Sequence, residues 1–245
     1  MLFFSILICL MVLYFIPIIY PNSILSILNI TPPNEHFIKP KTVPKSSLIY
    51  YDFICKNPKA VIIYVQGGMS RVFSKFNIKL CTRLNFLNYN VYMFNYREIP
   101  HNMNLITSCT NDLNDMYNYV ISISKLPCVL VAYSFGGVVV SNFYKNVASV
   151  VLLAPLGSFS KHVSYMYPFL NPARLQDSRV YFEINRLEHP TLILNSSSDI
   201  IAPSSISNSS YDGNVYFYTM NNLNHLDFKT MSCVKIIDQF IMIYL

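Results

Sequence analysis

Tryptophan is absent from the 245 residues, and glycine occurs only six times, at 67, 68, 136, 137, 157 and 213. The missing tryptophan accompanies a richness in Ile, Asn, Tyr and Lys that reads as nucleotide-composition bias, so surface Asn and Lys carry less meaning than usual. Charge is also sparse: 12% of residues are Asp, Glu, Lys or Arg, the net charge is +6, and no Arg/Lys cluster is interleaved with aromatics. That excludes a nucleic-acid-binding groove. The cysteines, Cys9, Cys55, Cys81, Cys109, Cys128 and Cys233, are irregularly spaced, which excludes a disulfide framework or a zinc-type ligand set and fits reduced thiols packed as small apolar groups. No internal repeat is present, and the length leaves no room for a second catalytic domain beside one well-filled core of a chain that is 53% hydrophobic.

No charged residue lies between Leu2 and Tyr20. The nearly continuous apolar run from Leu2 to Ile16 has the length of a membrane span, so residues 1–20 are expected to form a transmembrane anchor. A cleaved signal peptide is the rival reading, but the run has no basic stretch before it and no Ala-x-Ala-like site after it. Lys39, Lys41 and Lys45 follow the run against only Glu35, which favours a cytoplasmic catalytic domain. The sequons at Asn29, Asn195 and Asn208 point the other way and are discounted in so Asn- and Ser-rich a chain. Five prolines between Pro21 and Pro44 mark residues 21–45 as a linker, and the folded domain is expected over 46–245.

Within that domain, strand and helix patterns alternate. Strands are expected at 61–65, 91–95, 128–132, 149–154, 191–195 and 215–220, with helices near 71–88, 105–124, 135–147 and 227–244. Alternation of this kind predicts a mostly parallel sheet with helices on both faces. Arg71, Lys75, Lys79 and Arg83 recur every fourth residue on the first helix, opposite Val72, Phe76, Leu80, Leu84 and Leu87. The basic row is a solvated helix face or a contact for an anionic lipid surface.

Four of the six glycines stand in two pairs, each at the end of an apolar strand. Val129-Leu130-Val131-Ala132-Tyr133-Ser134-Phe135-Gly136-Gly137 has the pattern of a nucleophile elbow, a sharp strand-to-helix turn that lifts a serine hydroxyl clear of the sheet and demands small flanking residues. Ala132 takes the first small position of Gly-x-Ser-x-Gly. The other pair follows Ala60-Val61-Ile62-Ile63-Tyr64-Val65-Gln66, a buried-type strand running into a glycine turn. A serine hydroxyl needs an imidazole base and a carboxylate to hold that imidazole's tautomer. Asp199, after the strand at 191–195, and His225, between the last strand and the closing helix, are the best placed. Asp227 and Asp212 are the other available acids, and His36, His101, His162 and His189 the other imidazoles. Each choice has a plainer alternative: Ser134 as a helix N-cap, Asp199 as a turn cap.

The order of these motifs, glycine turn, elbow, acid and histidine, resembles that of the α/β-hydrolase superfamily, in its compact lipase- or esterase-like form, over residues 46–245. The resemblance implies an α/β fold, the triad Ser134, Asp199 and His225, and an oxyanion hole formed by the backbone amides of Phe135 and of Gly68 or Met69. It also implies a short lid over 157–190, where Phe159, Tyr165, Met166, Tyr167 and Phe169 would line an apolar acyl pocket, with an ordinary packed connector as the plainer alternative, and it implies no metal or organic cofactor. Gln66 stands where many relatives carry histidine, and Glu98 replaces the glycine of a Tyr-Arg-Gly turn. The expected activity is hydrolysis, at a membrane, of an ester or thioester with a lipophilic acyl group. Amide hydrolysis, acyl transfer to an alcohol or thiol, and a non-catalytic binding role are the alternatives.

Overall fold

The structure is a computed structural model that describes residues 38–67, 75–98, 105–156, 188–202 and 214–245. Among these residues eight strands build one sheet: β1 (Lys41–Thr42), β2 (Ile49–Phe53), β3 (Ala60–Val65), β4 (Tyr89–Phe94), β5 (Cys128–Tyr133), β6 (Ser149–Leu153), β7 (Thr191–Ser196) and β8 (Val215–Met220). They lie in the order β1-β2-β4-β3-β5-β6-β7-β8. The two pairings that involve β2 are antiparallel, and every pairing from β4 to β8 is parallel. Strands β3, β5, β6 and β7 are buried at every residue, as continuous Val/Ile/Leu runs must be when a parallel sheet is covered on both faces.

Helices α1 (Lys75–Phe86), α2 (Leu105–Ile123), α3 (Phe135–Ser141) and α4 (Met231–Ile243) supply that cover. α1 packs against α4, and α2 against α3. The topology assigns the two pairs to opposite faces. The crossover from β3 to β4 runs one way along the sheet, and those from β4 to β5 and β5 to β6 run the other, so right-handed connections place α1 on one face and α2 and α3 on the other. Phe76, Leu80 and Leu84 of α1 are buried, as the apolar face required. Of the basic row, Lys79 is exposed, while Arg83 turns its guanidinium onto the carbonyl of Lys229 at the start of the histidine-to-α4 connection. Arg71 lies outside the described residues.

The sheet also begins earlier than alternation implied. Lys41 and Thr42 pair with Tyr50 and Ile49, so backbone from the proline-containing stretch joins the sheet. β2 interrupts the strict alternation because its pairs, Tyr50 with Phe94 and Asp52 with Tyr92, run antiparallel without a crossover helix. α3 is shorter than the expected 135–147: the Ser141 hydroxyl and the Asn142 amide both donate to the Val138 carbonyl, and Asn142 and Phe143 continue in i to i−3 bonds that close the helix. α4 starts at Met231, with Thr230 accepting from the Cys233 amide as its N-cap, and the three residues His225–Asp227 form a separate 3-10 turn. No helix among the described residues is long and apolar enough to cross a membrane, and the anchor expected over 1–20 lies outside them. The five described cysteines are free, four of them buried, and burial pushes the Cys128 thiol up to about 12.

Candidate active site

Three loops at the C-terminal ends of β5, β7 and β8 carry the candidate residues to one place. Ser134 follows β5 directly and has φ 52° and ψ −117°, a backbone region that side chains rarely occupy. The turn is held from both sides: the Ser134 amide donates to the Leu153 carbonyl at 2.9 Å, and the Ser134 carbonyl accepts from the Gly137 and Leu156 amides. Gly136 is the only residue type the turn can hold there, since a Cβ would sit 2.3 Å from the Val65 carbonyl oxygen. The elbow and the end of β3 therefore touch backbone to backbone. Ser134 sits at the N-cap position of α3, yet its side chain makes no cap hydrogen bond. Its hydroxyl lies 3.0 Å from His225 Nε2 instead.

His225 opens the 3-10 turn after β8, and its Nδ1 lies 2.7 Å from Asp199 Oδ2. The other carboxylate oxygen of Asp199 accepts from the Ile201 and Ala202 amides, both at 2.9 Å. Burial raises the Asp199 pKa, but the hydrogen bonds from His225 and from the Ala202 and Ile201 amides outweigh it, and the net shift is below the ordinary carboxylate value. An ionised Asp199 can only accept, so His225 carries its proton on Nδ1 and presents Nε2 as the acceptor for the Ser134 hydroxyl. Ser134, Asp199 and His225 are all buried.

Around this line the loops are tied together. Ser196 Oγ, at the end of β7, accepts from the Ser198 amide in the acid loop and from the Leu223 amide in the histidine loop, both at 3.2 Å. The Tyr133 hydroxyl donates to the His225 carbonyl at 3.1 Å. Tyr96 donates to the Gln66 carbonyl at 3.1 Å and sets its ring edge-on to Phe135, fixing the end of β3 against the elbow. Beside it Arg97 is locked by Asp112, Asp115 and Ser46.

Of the other candidates, Asp227 is spent on the Asn224 amide at 3.0 Å, and His189 Nε2 lies 3.0 Å from the Lys145 carbonyl on the surface. Asp212, His36, His101 and His162 lie outside the described residues, as do Gly68, Met69 and nearly all of the expected lid. Phe135 is buried as the first residue of α3. Ile200 and Leu226, each next in sequence to a member of the line, are 73% and 56% exposed and put aliphatic surface on the acid and histidine loops. Sequence reasoning passed over Tyr133 and Ser196, whose bonds reach residues 92 and 27 positions away. No group of three or more possible metal ligands occurs among the described residues.

No protein-family model matches the chain, and no curated protein does. Solved structures do. Est1E from Butyrivibrio proteoclasticus superposes with a TM-score of 0.67 at 11% identity, covering 84% of this chain and 99% of that one. XC6422 from Xanthomonas campestris, described as an α/β serine hydrolase without a lid, gives 0.64 at 14% identity over 89% and 98%. A dienelactone hydrolase from Anabaena variabilis gives 0.62 at 13% identity over 86% and 100%. At these identities the likeness is one of fold: the chain has the α/β-hydrolase fold.

Proposed function

We propose that the protein is a serine hydrolase that cleaves a carboxylic ester or thioester with a lipophilic acyl group through an acyl-enzyme at Ser134. The observation that carries the proposal is the hydrogen-bonded line from Asp199 through His225 to a serine on a strained elbow. The fold shared with a described serine hydrolase and with a dienelactone hydrolase supports it.

In the first half-reaction the Ser134 hydroxyl gives its proton to His225 Nε2 as Oγ bonds to the substrate carbonyl carbon, and the carbonyl π electrons move onto oxygen. The Phe135 amide and that of Gly68 or Met69 would hold this oxyanion. Collapse expels the alcohol or thiol, which takes the proton from His225, and leaves acyl-Ser134. Water then repeats the steps: one proton goes to His225, hydroxide oxygen bonds to the acyl carbon, and collapse releases the acid while Oγ takes the proton back. Asp199, held ionised by His225 and by two backbone amides, stabilises the imidazolium formed twice in this cycle.

A lipophilic acyl group is supported by the exposed Ile200 and Leu226 beside the line. The uncharged stretch from Leu2 to Tyr20 supports a membrane setting, and Lys39, Lys41 and Lys45 after it support a catalytic domain on the cytoplasmic side.

The test is reaction with a fluorophosphonate probe, comparing wild type with Ser134→Ala and His225→Ala. Wild type is expected to label, Ser134→Ala not at all, and His225→Ala at least about a thousandfold more slowly. A folded wild-type protein that labels no faster than Ser134→Ala would overturn the enzyme reading. p-Nitrophenyl esters of rising chain length then test the acyl preference: kcat/KM should climb beyond acetate, and a flat or falling series would remove the lipophilic assignment.

A further inference from the structure

Tyr133 is peptide-bonded to Ser134 and ends β5. Its side chain is buried and does three things at once. The hydroxyl donates to the His225 carbonyl. The ring lies 5.0 Å from the imidazole, centroid to centroid, tilted by 40°. Phe76 of α1 packs on the same ring at 4.5 Å. Gly67 closes the remaining side, where an added Cβ would lie 3.0 Å from Tyr133 Cδ1 and 3.2 Å from Ser134 Cβ. The phenol is thus clamped by α1, the end of β3 and the histidine turn, with little freedom to move.

We infer that Tyr133 is a positioning residue that sets the distance between nucleophile and base. The inference rests on the reading of Ser134 as nucleophile and His225 as base. Asp199 fixes the imidazole from its Nδ1 side but says nothing about where the histidine backbone sits relative to the elbow. Tyr133 supplies that measure: one peptide bond joins it to Ser134 and one hydrogen bond joins it to His225, so the elbow and the histidine turn move together. The 3.0 Å separation of Ser134 Oγ and His225 Nε2 is the length this ruler maintains. Burial, and then the charge of Asp199, push the phenol's pKa well above its ordinary value, so the hydroxyl keeps its proton and remains a donor through the neutral range. Displacing a catalytic group by about 1 Å costs roughly a hundredfold in rate, which makes so small a bond consequential.

The experiment compares wild type with Tyr133→Phe, which removes one oxygen and keeps the ring, using the rate of fluorophosphonate labelling per folded molecule and kcat and KM on p-nitrophenyl acetate. Tyr133→Phe is expected to lower the labelling rate and kcat by about ten- to a hundredfold, with KM within about twofold. The same substitution is made in Asp199→Asn, where the imidazole has already lost its orientation. There it should cost less than about threefold, because two residues that act on one group are not additive. Equal rates for wild type and Tyr133→Phe, or the same factor in both backgrounds, would overturn the inference and leave Tyr133 as packing. If wild type itself labels no faster than Ser134→Ala, the triad reading has failed and takes the inference with it. A 1H NMR resonance for the imidazole proton shared with Asp199, far downfield in wild type, provides a readout without substrate. It should shift or broaden in Tyr133→Phe, and an unchanged signal would also count against the ruler.

Discussion

At Ser134 the positive φ is held by neighbours on both sides, and it costs stability that the rest of the fold must supply. Ser134→Ala and Ser134→Gly both delete the hydroxyl, but only glycine relaxes the backbone. Ser134→Gly should therefore be more stable than Ser134→Ala by about 1 kcal/mol, after allowing for glycine's greater freedom in the unfolded chain. Urea denaturation of the two variants, neither of which should turn over, measures the strain directly. Equal midpoints would mean the elbow is unstrained. The same constraint is what made the site readable at this scale. In a glycine-poor chain Gly136 stands where the backbone at the end of β3 passes within contact, so residue type reports geometry. Tyr133 was not readable in that way, because a buried tyrosine on a core strand looks like packing until its partner 92 residues later is in place.

Among the elements, the acid and histidine loops behave as one unit. Ser196 Oγ takes an amide from each, and the Ser197 amide adds a bond to the Met220 carbonyl at the end of β8. Ser196→Ala leaves two amides short of an acceptor and should destabilise the protein by about 1 to 2 kcal/mol while lowering the fluorophosphonate labelling rate of Ser134. Thermal unfolding and labelling of the same sample check both, and a loss of stability without a loss of labelling would separate the clamp from the chemistry. The positions of β3, β5, β6 and β7 followed from their apolar runs, because a strand buried on both faces can contain little else. Element ends were less legible. α3 stops early through Ser141 and Asn142 competing for one carbonyl, and β1 is two residues long, too short to leave any periodicity.

Among the described residues several charged groups are tied: Lys41 to Asp52, Arg97 to Asp112 and Asp115, Lys59 just before β3 to Asp238 of α4, and Asp199 to two backbone amides. Asp199 sets an acid limit. Its pKa is lower in the folded protein than in the unfolded chain, so its ionised form adds stability above the ordinary carboxylate range, and that contribution is lost as pH falls through the folded value. The stability gap between wild type and Asp199→Asn should be widest near neutral pH and narrow below about pH 4. Urea midpoints across that range test it, and a gap that widens on acidification would contradict the assigned shift. Fold class was legible from the alternation of elements, since few topologies satisfy it. The antiparallel start was not, as β2 finds its place through pairing with β4, a strand formed later in the chain.

The topology also imposes an order in time. Ser134 is translated first, Asp199 65 residues later by the numbering and His225 26 residues after that. β5 and its elbow can dock early, but the imidazole arrives on the turn beyond β8, an edge strand of the sheet. A ribosome-bound chain that has exposed Ser134 but not yet His225 holds an ordinary alcohol. On the proposed mechanism, reactivity at Ser134 awaits the turn beyond β8, so the growing polypeptide is expected to stay chemically silent until that turn is in place.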